Sequence, residues 1–225
     1  MKLTYIQKLT LFSTIIFALT FSSCTISQEY KFNDDFSGRS ETKIDMSGLI
    51  NVMKAMDTTG EGGDLDTISE SFAEIEDILK REGAKNINLG WNDEKTVIIL
   101  EYGFDNIEIL NKLINEADPM ELLFSEKKDE SKKTKGNQFI LKNNNKLIFK
   151  APEIGNDTIF TGEDMASMKE YYKYDLTFSF NKKIKKINNK NAILGEDKRS
   201  LSFNGNIFDM FADPKKTSFK VSLEK

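Results

Sequence analysis

The chain has 225 residues, with 32 Lys and Arg against 36 Asp and Glu, no histidine and one cysteine. Without histidine there is no Ser–His–Asp or Cys–His catalysis and no histidine-ligated zinc or haem. A lone cysteine forms no internal disulfide and no C-x-x-C redox pair, and a formal net charge of −4 argues against nucleic acid as a partner.

Met1 to Lys8 carries Lys2 and Lys8 and no acid, and Leu9 to Ser23 is uncharged and mostly apolar. A helix needs about 20 apolar residues to cross a bilayer, so this run is short for a span and has the form of a secretory signal peptide. The only cysteine, Cys24, directly follows Phe21-Ser22-Ser23. An apolar residue, two small residues and then Cys resembles the lipobox of bacterial lipoproteins. The resemblance implies cleavage after Ser23 and acyl chains on Cys24, which makes that residue an anchor and the membrane a partner. Thr25 in place of Asp, by resemblance to Gram-negative lipoproteins, implies the outer membrane, and the lack of acids in Thr25–Gln28 implies that the protein faces the periplasm. Residues 24–29 are expected to form a lipidated tether and 30–225 a single domain.

From Tyr30 the pattern alternates through Phe32 and Phe36, then resumes at Thr42, Ile44 and Met46. This predicts two strands, or one bent at Gly38, with the turn in Ser37–Glu41. A short helix follows to Met56, and Thr58–Gly63 reads as a loop. Leu65, Ile68, Phe72, Ile75, Ile78 and Leu79 fall on one face at helical spacing. Asp64 or Asp66 is placed to cap that helix, Lys80 and Arg81 sit at its negative end, and Gly83 is placed to close it. Ile87, Leu89 and Val97–Leu100 predict a hairpin turning at Trp91–Glu94, its second strand, apolar on both parities, central in the sheet. Asp105 is placed to cap a second helix with Ile107, Leu110 and Ile114 inward. Phe139–Leu141 and Leu147–Phe149 form a hairpin around Asn143–Asn145, and Glu163–Tyr172 predicts a third helix. Strands follow at Leu176–Phe180, Ile184–Ile187, Leu201–Phe203 and Phe219–Leu223. The order predicts an α+β domain, a mostly antiparallel sheet packed by two or three helices.

Motifs with chemical potential are few. Ser125-Glu126-Lys127-Lys128 has the S-x-x-K spacing, but its lysine sits beside a polar run that keeps it solvated and protonated. Asp57, Glu61, Asp64 and Asp66 surround a Gly-rich turn, yet Thr59 and Ile68 occupy places where a calcium loop needs ligands. Asp57-Thr58-Thr59, Asp66-Thr67-Ile68 and Asp157-Thr158-Ile159 resemble a short O-glycan acceptor. No cofactor, no metal and no enzymatic activity is expected; a hydrolase is the remote alternative. Lys182, Lys183, Lys185 and Lys186 make one dense basic cluster, suited to anionic headgroups or to protecting an edge strand.

The stretch from Tyr174–Phe180 through Ile184, Ala192 and Leu201–Phe203 to Val221–Leu223 resembles the end of the LppM-type lipoproteins. Their layout has a strand, a lysine-rich link, a strand and a closing strand. The resemblance implies an uncharacterised α+β envelope lipoprotein and permits lipid binding in a cavity. The expected role is a non-enzymatic domain that binds a lipid or other apolar ligand, with Ile75, Leu79, Ile98, Leu100, Phe178 and Phe180 as the candidate lining. The alternative is a structural or assembly lipoprotein that binds an envelope protein.

Overall fold

A computed structural model describes residues 24–48, 50, 65–116, 136–143, 145–152 and 172–224. Alternating apolar positions build its strands, and a three-to-four-residue apolar spacing builds its helices. The elements in chain order are β1 (Cys24–Phe32), β2 (Gly38–Asp45), α1 (Leu65–Arg81), β3 (Lys85–Trp91), β4 (Val97–Phe104) and α2 (Ile107–Glu116). There follow β5 (Phe139–Lys142), β6 (Lys146–Phe149), β7 (Tyr172–Phe180), β8 (Ile184–Ile187), β9 (Ile193–Leu194) and β10 (Ser200–Asn206). Then come α3 (Ile207–Ala212), a 3₁₀ turn (Pro214–Lys216) and β11 (Phe219–Leu223).

The strands form two sheets. The larger, sheet A, has the order β3-β4-β2-β1-β7-β10-β9, and sheet B has the order β5-β6-β11-β8. Pairing is antiparallel throughout the described strands except between β1 and β7, which run parallel in the middle of sheet A. The fold is therefore α+β with mostly antiparallel pairing, but the single sheet expected under helices is two sheets, the smaller covering part of the larger, and β1 and β7 form a parallel pair that local pattern did not foretell.

Three expectations change at the N-terminal end. Residues 24–29 are no tether: they are the first six residues of β1, in register with β2 from Thr25↔Asp45 to Phe32↔Gly38 and with β7 from Cys24↔Tyr172. The turn lies earlier than Ser37–Glu41, at Asn33–Ser37, where Phe36 takes a φ of 61° and the Asn33 amide donates to the Ser37 carbonyl. Gly38 then opens β2, because a Cβ there would overlap the Lys31 carbonyl oxygen and lie 2.9 Å from the Phe104 ring.

α1 spans the predicted apolar stripe, and Gly83, at φ 96°, ends it with bonds back to Lys80 and Leu79 from Gly83 and Ala84. Asp66 falls inside this helix, as does the Asp66-Thr67-Ile68 motif. α2 is capped by Asn106, not Asp105: its carboxamide accepts from the Ile109 amide at 2.9 Å. Its buried residues include Ile107, Leu110, Asn111 and Leu113, while Ile114 is only half-buried. The hairpins at 85–104 and 139–149 and the four C-terminal strands lie where the alternation places them. Tyr172, expected to end a helix, begins β7. Residues 51–64, 117–135 and 153–171 lie outside the described residues. With them go the predicted helix end at Met56, the S-x-x-K motif, the acidic Gly-rich turn and the other two O-glycan motifs.

One face of sheet A carries Tyr30, Phe32, Ile44, Ile98, Leu100, Leu176, Phe178 and Leu201, all buried. Sheet B covers part of this face through Phe139, Phe149 and Phe219, whose ring centroids lie 4.7–6.2 Å from those of Tyr30, Phe32, Phe178 and Phe203. α1 covers the β3 side: Phe72 packs 6.3 Å from Trp91, and the Trp91 indole donates to Ser69 at 3.0 Å. Aromatic pairs in tilted and edge-on contact add about 0.5–1.5 kcal/mol each beyond burial.

Candidate functional site

Cys24 heads β1 with the same parity as Ile26, Tyr30 and Phe32, so its side chain leaves sheet A on the core side. It is half-buried, and burial, with Asp45 adding, pushes its thiol up to about 11. A thiol held this far toward its protonated form is a poor nucleophile, because the thiolate is the reactive species. Burial, with Cys24 adding, also raises Tyr172, its partner across the parallel pairing.

The six candidate lining residues are each between 0 and 4% exposed. The structure does not gather them around one space. Ile98 and Leu100 on β4 are separated from Phe178 and Phe180 on β7 by β2 and β1, roughly 14 Å at the usual strand spacing. Ile75 and Leu79 stand on α1, which packs on β3 and α2. Phe178 is enclosed by Tyr30, Phe139, Phe149 and Phe219, with ring centroids 4.7–6.2 Å away. These residues fill the core between the layers.

A polar stripe that periodicity did not reveal crosses the same face. Ser40 and Thr42 on β2 and Gln28 on β1 take inward positions opposite Tyr30, Gln28 and Thr42 respectively. Gln28 joins two tyrosines: its Nε2 donates to Tyr30 Oη at 2.7 Å, and its Oε1 accepts from Tyr174 Oη at 2.6 Å. Ser40 Oγ is fully buried and has no hydrogen-bond partner among the described residues. Buried polar groups are nearly always paired, which makes this one a feature to explain.

Two depressions on the surface have polar linings. One, of about 530 Å³, lies between Asn188–Asn191 and the 3₁₀ turn. There the Asn189 carboxamide donates to the carbonyls of Lys215, Lys216 and Ser218 at 3.3, 3.0 and 2.8 Å. These bonds staple the β8–β9 link to the turn. The other, about 390 Å³, has Lys183, Lys198 and Arg199 facing Glu196, Asp197 and Glu224. No cluster of three or more potential metal-ligating side chains occurs among the described residues.

The lysine cluster is set around β8, an edge of sheet B. β8 and β11 slip register between Ser222 and Leu223, so Ile184 meets Leu223 while Lys186 meets Ser222. The bulge turns both Ile184 and Ile187 toward the core and leaves Lys185 and Lys186 both exposed. Lys183 is exposed and Lys182 half-buried. Sequence order missed the rest of this surface. Lys142, Lys146 and Lys220 share the outer face of sheet B, and Lys150 follows β6 with the same parity. Only strand register unites these residues.

Comparison with solved structures finds a distant structural likeness. The chain is similar to the folded domain of the LppM protein of Mycobacterium tuberculosis, with a TM-score of 0.43 and 10% identity over 91% of this chain and 92% of that one. No family model matches the sequence, and no curated protein matches it.

Proposed function

We propose that this protein is a lipoprotein of the cell envelope, anchored through acyl chains on Cys24, with a non-enzymatic binding domain. The observation that carries the reading is the placement of the only cysteine at the first residue of β1, after a charged and then apolar leader. Each buried methylene contributes about 0.8 kcal/mol, so two or three acyl chains hold a protein on a bilayer almost permanently. With β1 beginning at the anchor, the domain sits directly against the lipid surface. An outer membrane, with the domain facing the periplasm, is the location that fits Thr25. Labelling cells with a tagged fatty acid tests the anchor: the label enters the native chain and is lost in Cys24→Ala. Label retained by that variant, or absent from the native chain, contradicts the reading.

Ser40 favours a second element of the reading, a bound amphipathic lipid. The core between the layers is filled, so a lipid there has to open it, and the polar chain Gln28–Tyr30–Tyr174 beside Ser40 Oγ, which has no partner among the described residues, is the place on the core face of sheet A where the packing is least satisfied. Native mass spectrometry after exposure to envelope lipid extract tests it. A stoichiometric adduct that weakens in Ser40→Ala supports the lipid; a bare protein peak moves the role to a protein partner.

A further inference from the structure

We infer that the outer face of sheet B is a docking surface for the anionic headgroups of the bilayer in which Cys24 is anchored. The inference rests on the anchored reading and adds which side of the domain lies against the membrane.

The two sheets treat charge differently on their solvent faces. On sheet A, acids and bases are interleaved and many of them pair: Lys31 with Glu29 at 3.1 Å, Lys43 with Glu41 at 2.6 Å, and Arg39 with both Glu41 and Glu101 at 2.9 and 2.6 Å. On sheet B, Lys142, Lys146, Lys150, Lys185, Lys186 and Lys220 are all exposed. No acid stands on this face within the strands; Glu224 lies past the end of β11. None of the six lysines is in an ion pair among the described residues. In a chain with more acids than bases this is charge segregation.

Protection of an edge explains Lys185 and Lys186 on β8. It does not explain Lys146 or Lys220, because β6 and β11 are interior strands. Lys142 and Lys146 even stand directly opposite each other, an arrangement that costs stability without a counter-charge. Ile140 and Ile148, also directly opposed, put a half-buried apolar pair beside them on the same face. Lysines around a small apolar centre match the boundary of an anionic bilayer, where ammonium groups meet phosphates and short apolar side chains reach the first methylenes. The anchor is compatible with this orientation, since Cys24 leaves sheet A on the side that sheet B covers.

The test uses the lipidated full chain, reconstituted in vesicles of phosphatidylcholine with and without phosphatidylglycerol and labelled with an amine-reactive reagent. Retention on neutral vesicles reports the anchor alone. The difference in lysine labelling between the two vesicle types reports the face alone. Expected is a several-fold protection of Lys142, Lys146, Lys186 and Lys220 by phosphatidylglycerol, relieved at about 1 M salt, where the Debye length falls to about 3 Å. Lys31 and Lys80 should label equally in both. Each headgroup-facing lysine contributes about fivefold to partition, so Lys146→Glu with Lys220→Glu should weaken the anionic preference by well over tenfold. Equal labelling in both vesicles overturns the inference, as does protection that appears only when an acidic protein is added.

Discussion

The Asn111 carboxamide closes a two-bond ring with the Phe139 backbone, donating to its carbonyl at 2.8 Å and accepting from its amide at 2.9 Å. Asn111 thus acts as a strand neighbour for β5, the edge of sheet B beside α2, and fixes the helix to the sheet. Replacing it with Leu leaves a buried donor and acceptor on Phe139 without partners, each costing about 1–3 kcal/mol. Asn111→Leu should therefore destabilise the fold by about 2–4 kcal/mol, read as a lower urea midpoint. An unchanged midpoint would show that β5 is held by its pairing with β6 alone.

Gly38 gives a prediction about space. A Cβ added there meets the Lys31 carbonyl oxygen and lies 2.9 Å from the Phe104 ring, so β1 and β4 would both have to yield. Overpacking of this kind costs about 1–3 kcal/mol. Gly38→Ala should lower the melting temperature, while Gly90→Ala, where a Cβ meets nothing within 4 Å, should not.

The outer face of sheet A predicts an acid dependence. The Lys43 ammonium bonded to Glu41, with Arg39 adding, holds that carboxyl below its ordinary 4.5 despite partial burial. A depressed folded value means that the unfolded chain takes up the proton first. The stabilising contribution is thus present above 4.5 and is lost as pH falls through the lower folded value. Lys43→Met should raise the Glu41 titration midpoint, measured by carboxyl NMR. It should also shift acid unfolding to higher pH.

At the other end of the pH scale, unlipidated Cys24 behaves oppositely. Its folded value of about 11 lies above the ordinary 9.0, so the unfolded chain releases its proton first. Its contribution is complete below pH 9.0 and is lost as pH rises toward about 11. Thiolate absorbance of the folded protein should therefore appear late compared with the protein in denaturant, and Asp45→Asn should bring it slightly earlier. Coincident titrations would place the thiol in open solvent.

Much of the domain was legible where physical signals are local. The stripe from Ile68 to Leu79 and the stop at Gly83 fixed α1; alternation fixed β5, β6, β7, β10 and β11. Pairing between distant segments was not legible. β1 pairs parallel with β7 across more than a hundred residues, and nothing in Cys24–Phe32 names its neighbour. That pairing also turned an expected tether into a strand, because Thr25, Ser27 and Glu29 fill a solvated face that looks like loop when read alone. β9 and α3 were too short to carry a period. The candidate site divided in the same way. Cys24 and the run Lys182–Lys186 stood out as local features. The lysine face did not, because Lys142, Lys146 and Lys220 become neighbours only through register. Apolar residues of the core and of a ligand cavity carry the same sequence signal, so Phe178 and Leu100 could be placed inside but not assigned a purpose.

The orientation proposed for the domain on a membrane is tested most directly by labels on its two sides. A spin label at Ser222→Cys, between Lys146 and Lys186 in register, and one at Thr177→Cys, on the outer face of sheet A, report opposite sides of the domain. In the lipidated protein on phosphatidylglycerol-containing vesicles, a lipid-borne relaxation agent should quench the label at position 222 strongly and the label at 177 weakly. Equal quenching, or the reverse order, would contradict a domain that rests on its bilayer through the lysine face of sheet B.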